Sequence, residues 1–168
     1  MLVTNPVGVP IGSDVFTSAT RREEFATAIV KLVKKLQPIH RFYVHRDLRL
    51  ANLVWVRIGN GRELMQIEWG FAAEVGTAYL PKDVFPGSNE FYLPKASDDL
   101  RTLLRVLFAR KFSNVWSQHC KDGTFTENEQ WAKSGAADAG TAALNGDYEA
   151  FAAALRRMVL FNIKAPKV

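Results

Sequence analysis

Five side chains that can do chemistry fall within eight consecutive residues, His45-Arg46-Asp47-Leu48-Arg49-Leu50-Ala51-Asn52, and a further carboxylate, Glu68, follows sixteen residues later. Asp47 can orient or accept the proton of an attacking hydroxyl. Arg49 is a permanent cation whose forked donors suit a phosphate. Asn52 offers an amide oxygen and Glu68 a carboxylate, the hard oxygen donors that Mg²⁺ selects. Together these are the parts of a phosphoryl-transfer centre, where the protein supplies position and charge more than covalent chemistry. Glu68 has a plainer alternative, as a carboxylate capping the turn after it. Asp98 and Asp99 likewise suit a helix N-terminus through the helix dipole.

The elements around these residues can be read from periodicity. Phe25, Ala28, Ile29, Leu32, Val33 and Leu36 recur at three- and four-residue spacing and predict a helix over 21–37. Thr20 with Glu23 is its expected cap, and Pro38 its expected stop. Phe42-Tyr43-Val44 is a short apolar run leading into the eight-residue segment. Leu53–Ile58 and Glu63–Ile67 are strand-like, and Asn60-Gly61 between them predicts a hairpin turn. Residues 70–95 form a turn-rich stretch without periodicity, a length that in compact domains points to function or disorder. A helix is expected from Ser97 or Asp98 to about Ala109. Thr126 with Glu129 predicts a short helix through Trp131. Asn145-Gly146-Asp147 is a break, and Phe151, Leu155, Met158 and Val159 mark a last helix. Residues 133–144 carry no clear signal. The expectation is one domain over 1–168, mainly α with a small β hairpin.

Composition narrows the class. The 168 residues are 48% hydrophobic and 23% charged, ordinary for a globular chain with a real core. No apolar run approaches the ~18–20 residues of a membrane span, and the first ten residues do not read as a secretory signal. Cys120 is the one cysteine, so no internal disulfide forms. An intracellular protein, cytoplasmic or nuclear, is expected, with no membrane partner. The net charge of +5 is spread along the chain. It fits attraction to phosphates or acidic peptides, and equally an ordinary basic surface. The densest group, Lys31-Leu-Val-Lys34-Lys35, has the spacing of a solvated helix face. Without interleaved aromatic and basic residues, no nucleic-acid partner is expected.

The eight-residue segment reads H-R-D-L-x-x-x-N and resembles the catalytic loop of eukaryotic protein kinases. Ile67-Glu68-Trp69-Gly70-Phe71 resembles the D-F-G motif of that family, with Glu68 and Trp69 replacing Asp and Phe. Gly87-Ser-Asn-Glu-Phe-Tyr-Leu-Pro94-Lys95 resembles the end of a kinase activation segment, with Lys95 replacing the usual acidic residue. Ser97-Asp98-Asp99-Leu100 resembles the start of the central helix of the C-terminal lobe and is closest to casein-kinase-like sequences. The resemblance runs in order over residues 2–110. It implies a protein-kinase C-lobe fold, with Asp47 as catalytic base, Arg49 at the phosphate, and Asn52 and Glu68 as Mg²⁺ ligands and cofactor-binding residues. His45, Arg46, Gly70 and Asp99 become structural residues of the site, Asp99 by accepting hydrogen bonds from the loop backbone. ATP and Mg²⁺ are the implied cofactors. Arg46 could bind a phosphate on Thr77, Tyr79 or Ser88.

The same resemblance implies a Gly-rich loop, a strand Lys and a helix Glu, and none precedes residue 21. The expectation is therefore a single lobe without the N-lobe. Its N-lobe-facing surface would be exposed for a protein substrate or partner. Three readings stand: ATP-dependent phosphoryl transfer to protein hydroxyls, Ser or Thr before Tyr; a catalytically inactive, pseudokinase-like binding module; and a small-molecule phosphotransferase of the aminoglycoside or choline kinase type, which Glu68-Trp69 echoes.

Overall fold

A computed structural model describes residues 8–77, 95–111 and 134–161. In chain order they form β1 (Val9–Pro10), α1 (Asp14–Thr17), α2 (Ala19–Ile39), β2 (Tyr43–Val44), a 3₁₀ turn (Leu50–Asn52), β3 (Leu53–Ile58), β4 (Gly61–Gln66), a second 3₁₀ turn (Trp69–Phe71), β5 (Ala73–Glu74), α3 (Ala96–Lys111), α4 (Ala136–Asn145) and α5 (Tyr148–Leu160). The described chain is mostly helical with small antiparallel sheets, as expected.

α2 is the axis of the fold. Its apolar stripe, Phe25, Ala28, Ile29, Leu32, Val33 and Leu36, is buried. It packs along α5, whose Phe151, Leu155, Met158 and Val159 are also buried; α5 in turn packs on α4, and α4 on α3. Each fully buried Leu, Ile or Phe contributes about 1.5–3 kcal/mol relative to exposure. Phe25 also meets Phe16 and Trp55 edge-on, so it ties α1 and β3 to the helical layer.

Two boundaries of α2 differ from the sequence expectation. The cap is Ser18, not Thr20: the Ser18 Oγ accepts from the Arg21 amide. Pro38 lies inside the last turn instead of ending it. Proline removes one backbone donor, but the next turn still closes through His40 N–H to Leu36 O, at 2.8 Å. His40 is also held from two other helices, so packing carries the helix past the proline.

β3 and β4 pair from Leu53↔Gln66 to Ile58↔Gly61. The two-residue loop is therefore Gly59-Asn60, one residue earlier than Asn60-Gly61. Gly59 has φ +58°, the left-handed first position that a glycine-first hairpin turn requires. β1 extends this sheet along β3, and Gly8 lies so close to Val54 that an added Cβ would overlap its side chain at 2.4 Å. β2 pairs separately with β5, Tyr43↔Glu74 and Val44↔Ala73.

The segment without a clear sequence signal contains α4. It ends at Gly146 (φ +67°) with Gly146 N–H to Ala143 O and Asp147 N–H to Ala142 O, a Schellman ending. Asp147 then caps α5 by accepting from the Ala150 amide. The break at 145–147 is thus a helix–helix corner, as its residue types predict. The helix expected around Thr126–Trp131 and Cys120 lie outside the described residues.

Candidate functional site

The segment from His45 to Asn52 leaves β2, turns irregularly, and enters β3 through the first 3₁₀ turn. Asp99, in the first turn of α3, sets its shape. Asp99 Oδ2 accepts from the His45 amide at 2.6 Å, and Oδ1 from the Arg46 amide at 2.8 Å. The carboxylate is fully buried. Two amides on one buried anion fix the two successive peptide planes that flank His45, and Arg46, next in the chain, adopts φ +66°. Left-handed backbone costs a non-glycine residue roughly 1–2 kcal/mol, which the Arg46 contacts to Asp99 through its amide and to Phe71 O through its side chain offset.

The His45 ring is buried and bonded within the loop pair. Its Nε2 donates to Ile67 O at 2.8 Å, and its Nδ1 accepts from the Asp47 amide at 3.3 Å. These roles match a neutral ring with Nε2 protonated. The Trp69 ring meets it edge-on at 4.6 Å. The Ile67 amide donates back to Asn52 O at 2.9 Å, so both backbone groups of Ile67 are tied to the loop. A scaffold role for His45 is the arrangement seen.

Asp47 and Asn52 come together. The Asn52 Nδ2 donates to Asp47 Oδ2 at 2.7 Å and to Asp47 O at 2.9 Å. Both amide hydrogens of the buried Asn52 face acceptors, which leaves its side-chain carbonyl Oδ1 outside the contact. Arg49 lies 3.2 Å from the same Asp47 Oδ2. Among the described residues no hydrogen bond uses Asp47 Oδ1. Asp47 is partly buried and Arg49 is exposed.

Glu68 follows Ile67 directly. It is exposed, has φ +63°, and makes no side-chain cap to the 3₁₀ turn it precedes, so the capping alternative is not what the turn uses. Glu68 and Arg46 are the two non-glycine residues with positive φ among the described residues, and both flank the same loop pair. Arg46 reaches across, its Nε donating to Phe71 O. Gly70 is exposed, with nothing within 4 Å of where a Cβ would stand, so neither space nor φ demands glycine here.

Two site-supporting residues escaped the sequence reading. His40 Nε2 lies 3.0 Å from Asp99 Oδ2, and His40 Nδ1 lies 2.7 Å from the Tyr148 hydroxyl. Burial, with the Asp99 charge adding to it, pushes the Tyr148 hydroxyl up to about 12. No spacing announces this chain, since its members stand 59 and 108 residues from His40.

Of the other candidate residues, Thr77 is exposed and bonded to Glu74. Lys95 donates its amide to Asp98 Oδ2 at 2.8 Å. Tyr79, Ser88 and the Gly87–Pro94 stretch lie outside the described residues.

Asn52 is buried with its Oδ1 outside the bonds to Asp47, and Glu68 is exposed one residue from the Ile67–Asn52 bond, so amide and carboxylate oxygens of the right chemical type for a hard cation border one loop pair. Among the described residues no cluster of three His, Cys, Asp or Glu side chains could hold a metal unaided. Such a cation would therefore need ligand oxygens from its own substrate or from water. No described helix is long and apolar enough to cross a membrane. A shallow cavity lined by Glu23, Glu24, Thr27, Ala28, Lys31 and Arg62 lies between α2 and β4, away from the loop. Comparison of the chain with protein-family models, curated proteins and solved structures gives no match.

Proposed function

We propose that this chain is a protein-kinase-like catalytic lobe for ATP-dependent phosphoryl transfer to a hydroxyl group, with protein side chains as the substrate class. The observation that carries this reading is the Asp47–Asn52 lock: one side chain orients the other, and neither Asp47 Oδ1 nor Asn52 Oδ1 takes part in the contact. Bound ATP and Mg²⁺ would supply the phosphoryl group and neutralise its charge. Asp47 Oδ1 accepts from the attacking hydroxyl and orients it. Arg49, beside Asp47 Oδ2, offers its guanidinium to the transferring phosphate. Asn52 and Glu68 would hold the cation, with the remaining ligand oxygens coming from ATP or water. The Asp99 clasp fixes the loop before substrate arrives, which lowers the ordering cost of reaching the reactive geometry.

The test is calorimetric titration of the chain with ATP, with and without Mg²⁺. Mg²⁺-dependent binding is expected, weakened at least about tenfold by Asn52→Ala. Absence of any Mg²⁺-dependent binding by a folded chain would overturn the proposal.

A second reading, a pseudokinase-like binding module, is favoured by one specific feature. Phe42, Tyr43, Phe71 and Val75 are exposed around the paired β2 and β5, close to the loop. A folded chain that binds no nucleotide under either condition would select it.

A further inference from the structure

The last helix is remote in sequence from the loop that carries Asp47, yet it contributes a polar group to the loop's support. We propose that Tyr148 is a positioning residue for that loop, acting through His40 on Asp99. The proposal rests on the reading of the loop as catalytic, but its test does not use activity.

Asp99, as a carboxylate, can only accept. The His40 Nε2, 3.0 Å from Asp99 Oδ2, must therefore carry the proton in this contact. A neutral imidazole then leaves Nδ1 as an acceptor, and the Tyr148 hydroxyl at 2.7 Å is its donor. The hydroxyl keeps that proton across the physiological range because burial holds its ionisation near 12. All three residues are buried. With the His40 ring neutral, every bond runs one way, Tyr148 → His40 → Asp99, and Asp99 ends the chain on the His45 and Arg46 amides.

Removing the hydroxyl leaves Nδ1 as a dry acceptor without a donor, a cost on the order of 1–3 kcal/mol if the ring stays in place. The ring can regain a partner only by turning, and turning withdraws the Nε2 proton from Asp99. The carboxylate then loses one of its three fixed donors and with it the orientation that serves both loop amides. The tie is specific to the ring's orientation. It does not depend on how well the phenol packs, because Phe at 148 keeps the ring.

Amide hydrogen exchange of the full chain, read residue by residue by NMR, tests this. Tyr148→Phe is expected to speed exchange of the His45 and Arg46 amides about tenfold or more, while the Val56 and Leu155 amides stay within about twofold. The His40 ¹⁵N signals should show a protonated Nε2 and a bare Nδ1 in the parent chain. A second variant guards against a merely structural effect. His40→Gln keeps an N–H for Asp99 and drops the link to Tyr148, so Tyr148→Phe should add nothing further in that background. Unchanged His45 and Arg46 exchange in Tyr148→Phe would overturn the proposal. So would acceleration spread evenly over all four amides, or an undiminished effect in the His40→Gln background. Loss of nucleotide binding is not among these readouts, so failure of the catalytic reading and failure of this one remain separable.

Discussion

Two polar regions fasten helices to β structure in this molecule, and they are built oppositely. Around Asp99, the ends of α2, α3 and α5 meet the loop through His40, Asp99 and Tyr148, and the His40 and Asp99 side chains are 1% and 0% exposed. Along the hairpin, α2 meets β4 through Arg62–Glu24 and Lys35–Glu63, and the Arg62 and Glu24 side chains are 41% and 35% exposed. Both regions contain opposite charges and hydrogen bonds. They differ in water. In the exposed pairs solvent and salt screen the attraction and the long side chains lose entropy, so each contributes little. In the buried cluster no solvent can substitute for a lost partner, so each bond is obligatory. Burial here specifies one loop conformation more than it raises total stability.

The largest effect follows from breaking the buried cluster at its centre. Asp99→Ala removes the acceptor for two buried amides and the partner of His40. A loss of about 3–5 kcal/mol is expected, read from urea unfolding, together with loss of the nucleotide binding proposed for the loop. A loss below 1 kcal/mol would place the cluster in the same class as the surface pairs.

Asn52→Ala is the next largest. It frees Asp47 O and Asp47 Oδ2 from their shared donor in a partly buried setting. About 1–3 kcal/mol of stability is expected to go. Asn52→Asp would preserve size but set a second carboxylate against Asp47, and should be at least as damaging.

An alkaline titration sharpens the contrast without changing a core contact. The Tyr148 hydroxyl ionises near 12 in the folded chain, against an ordinary 10.0. The raised value means the unfolded chain loses this proton first. Stability from Tyr148 is therefore complete below about pH 10 and declines between pH 10 and 12. Thermal melts should show that decline in the parent and a smaller one in Tyr148→Phe. Identical alkaline profiles would argue that the phenol is not shielded.

Much of the helical frame was legible because it is local. The stripe of α2, the 145–147 corner and the paired strands follow from spacing and turn residues. The failures were also physical. Pro38 is carried by packing from distant helices, and the hairpin loop shifted by one because Gly59 takes the left-handed position in place of Gly61. α4 is built largely from alanine and glycine, which carry weak periodic contrast. For the site, the Asp99 clasp on the loop backbone was expected from the resemblance and is present in the geometry. Asp47 and Asn52 meet, as their five-residue spacing permits. His40 and Tyr148 were invisible because single polar residues at helix ends announce a contact only once the helices have packed.

The smallest expected effect lies at the hairpin. Arg62 pairs with Glu24 by both Nε and a terminal nitrogen and lies 5.1 Å over the Trp55 ring. Its hydrogen bond and charge hold the Glu24 carboxyl below the ordinary 4.5. A lowered carboxylate value means this contribution is present above pH 4.5 and is lost as pH falls through the folded value. Truncating Arg62 alone would mix the ion pair with the ring contact. The coupling must come from Glu24→Gln measured in the parent and in an Arg62→Met background. A coupling of about 0.2–1 kcal/mol is expected at neutral pH, falling in 1 M salt and as acid protonates Glu24. A salt-insensitive coupling above about 2 kcal/mol would mean that this exposed pair behaves like the buried cluster, and that water is not what separates the two regions.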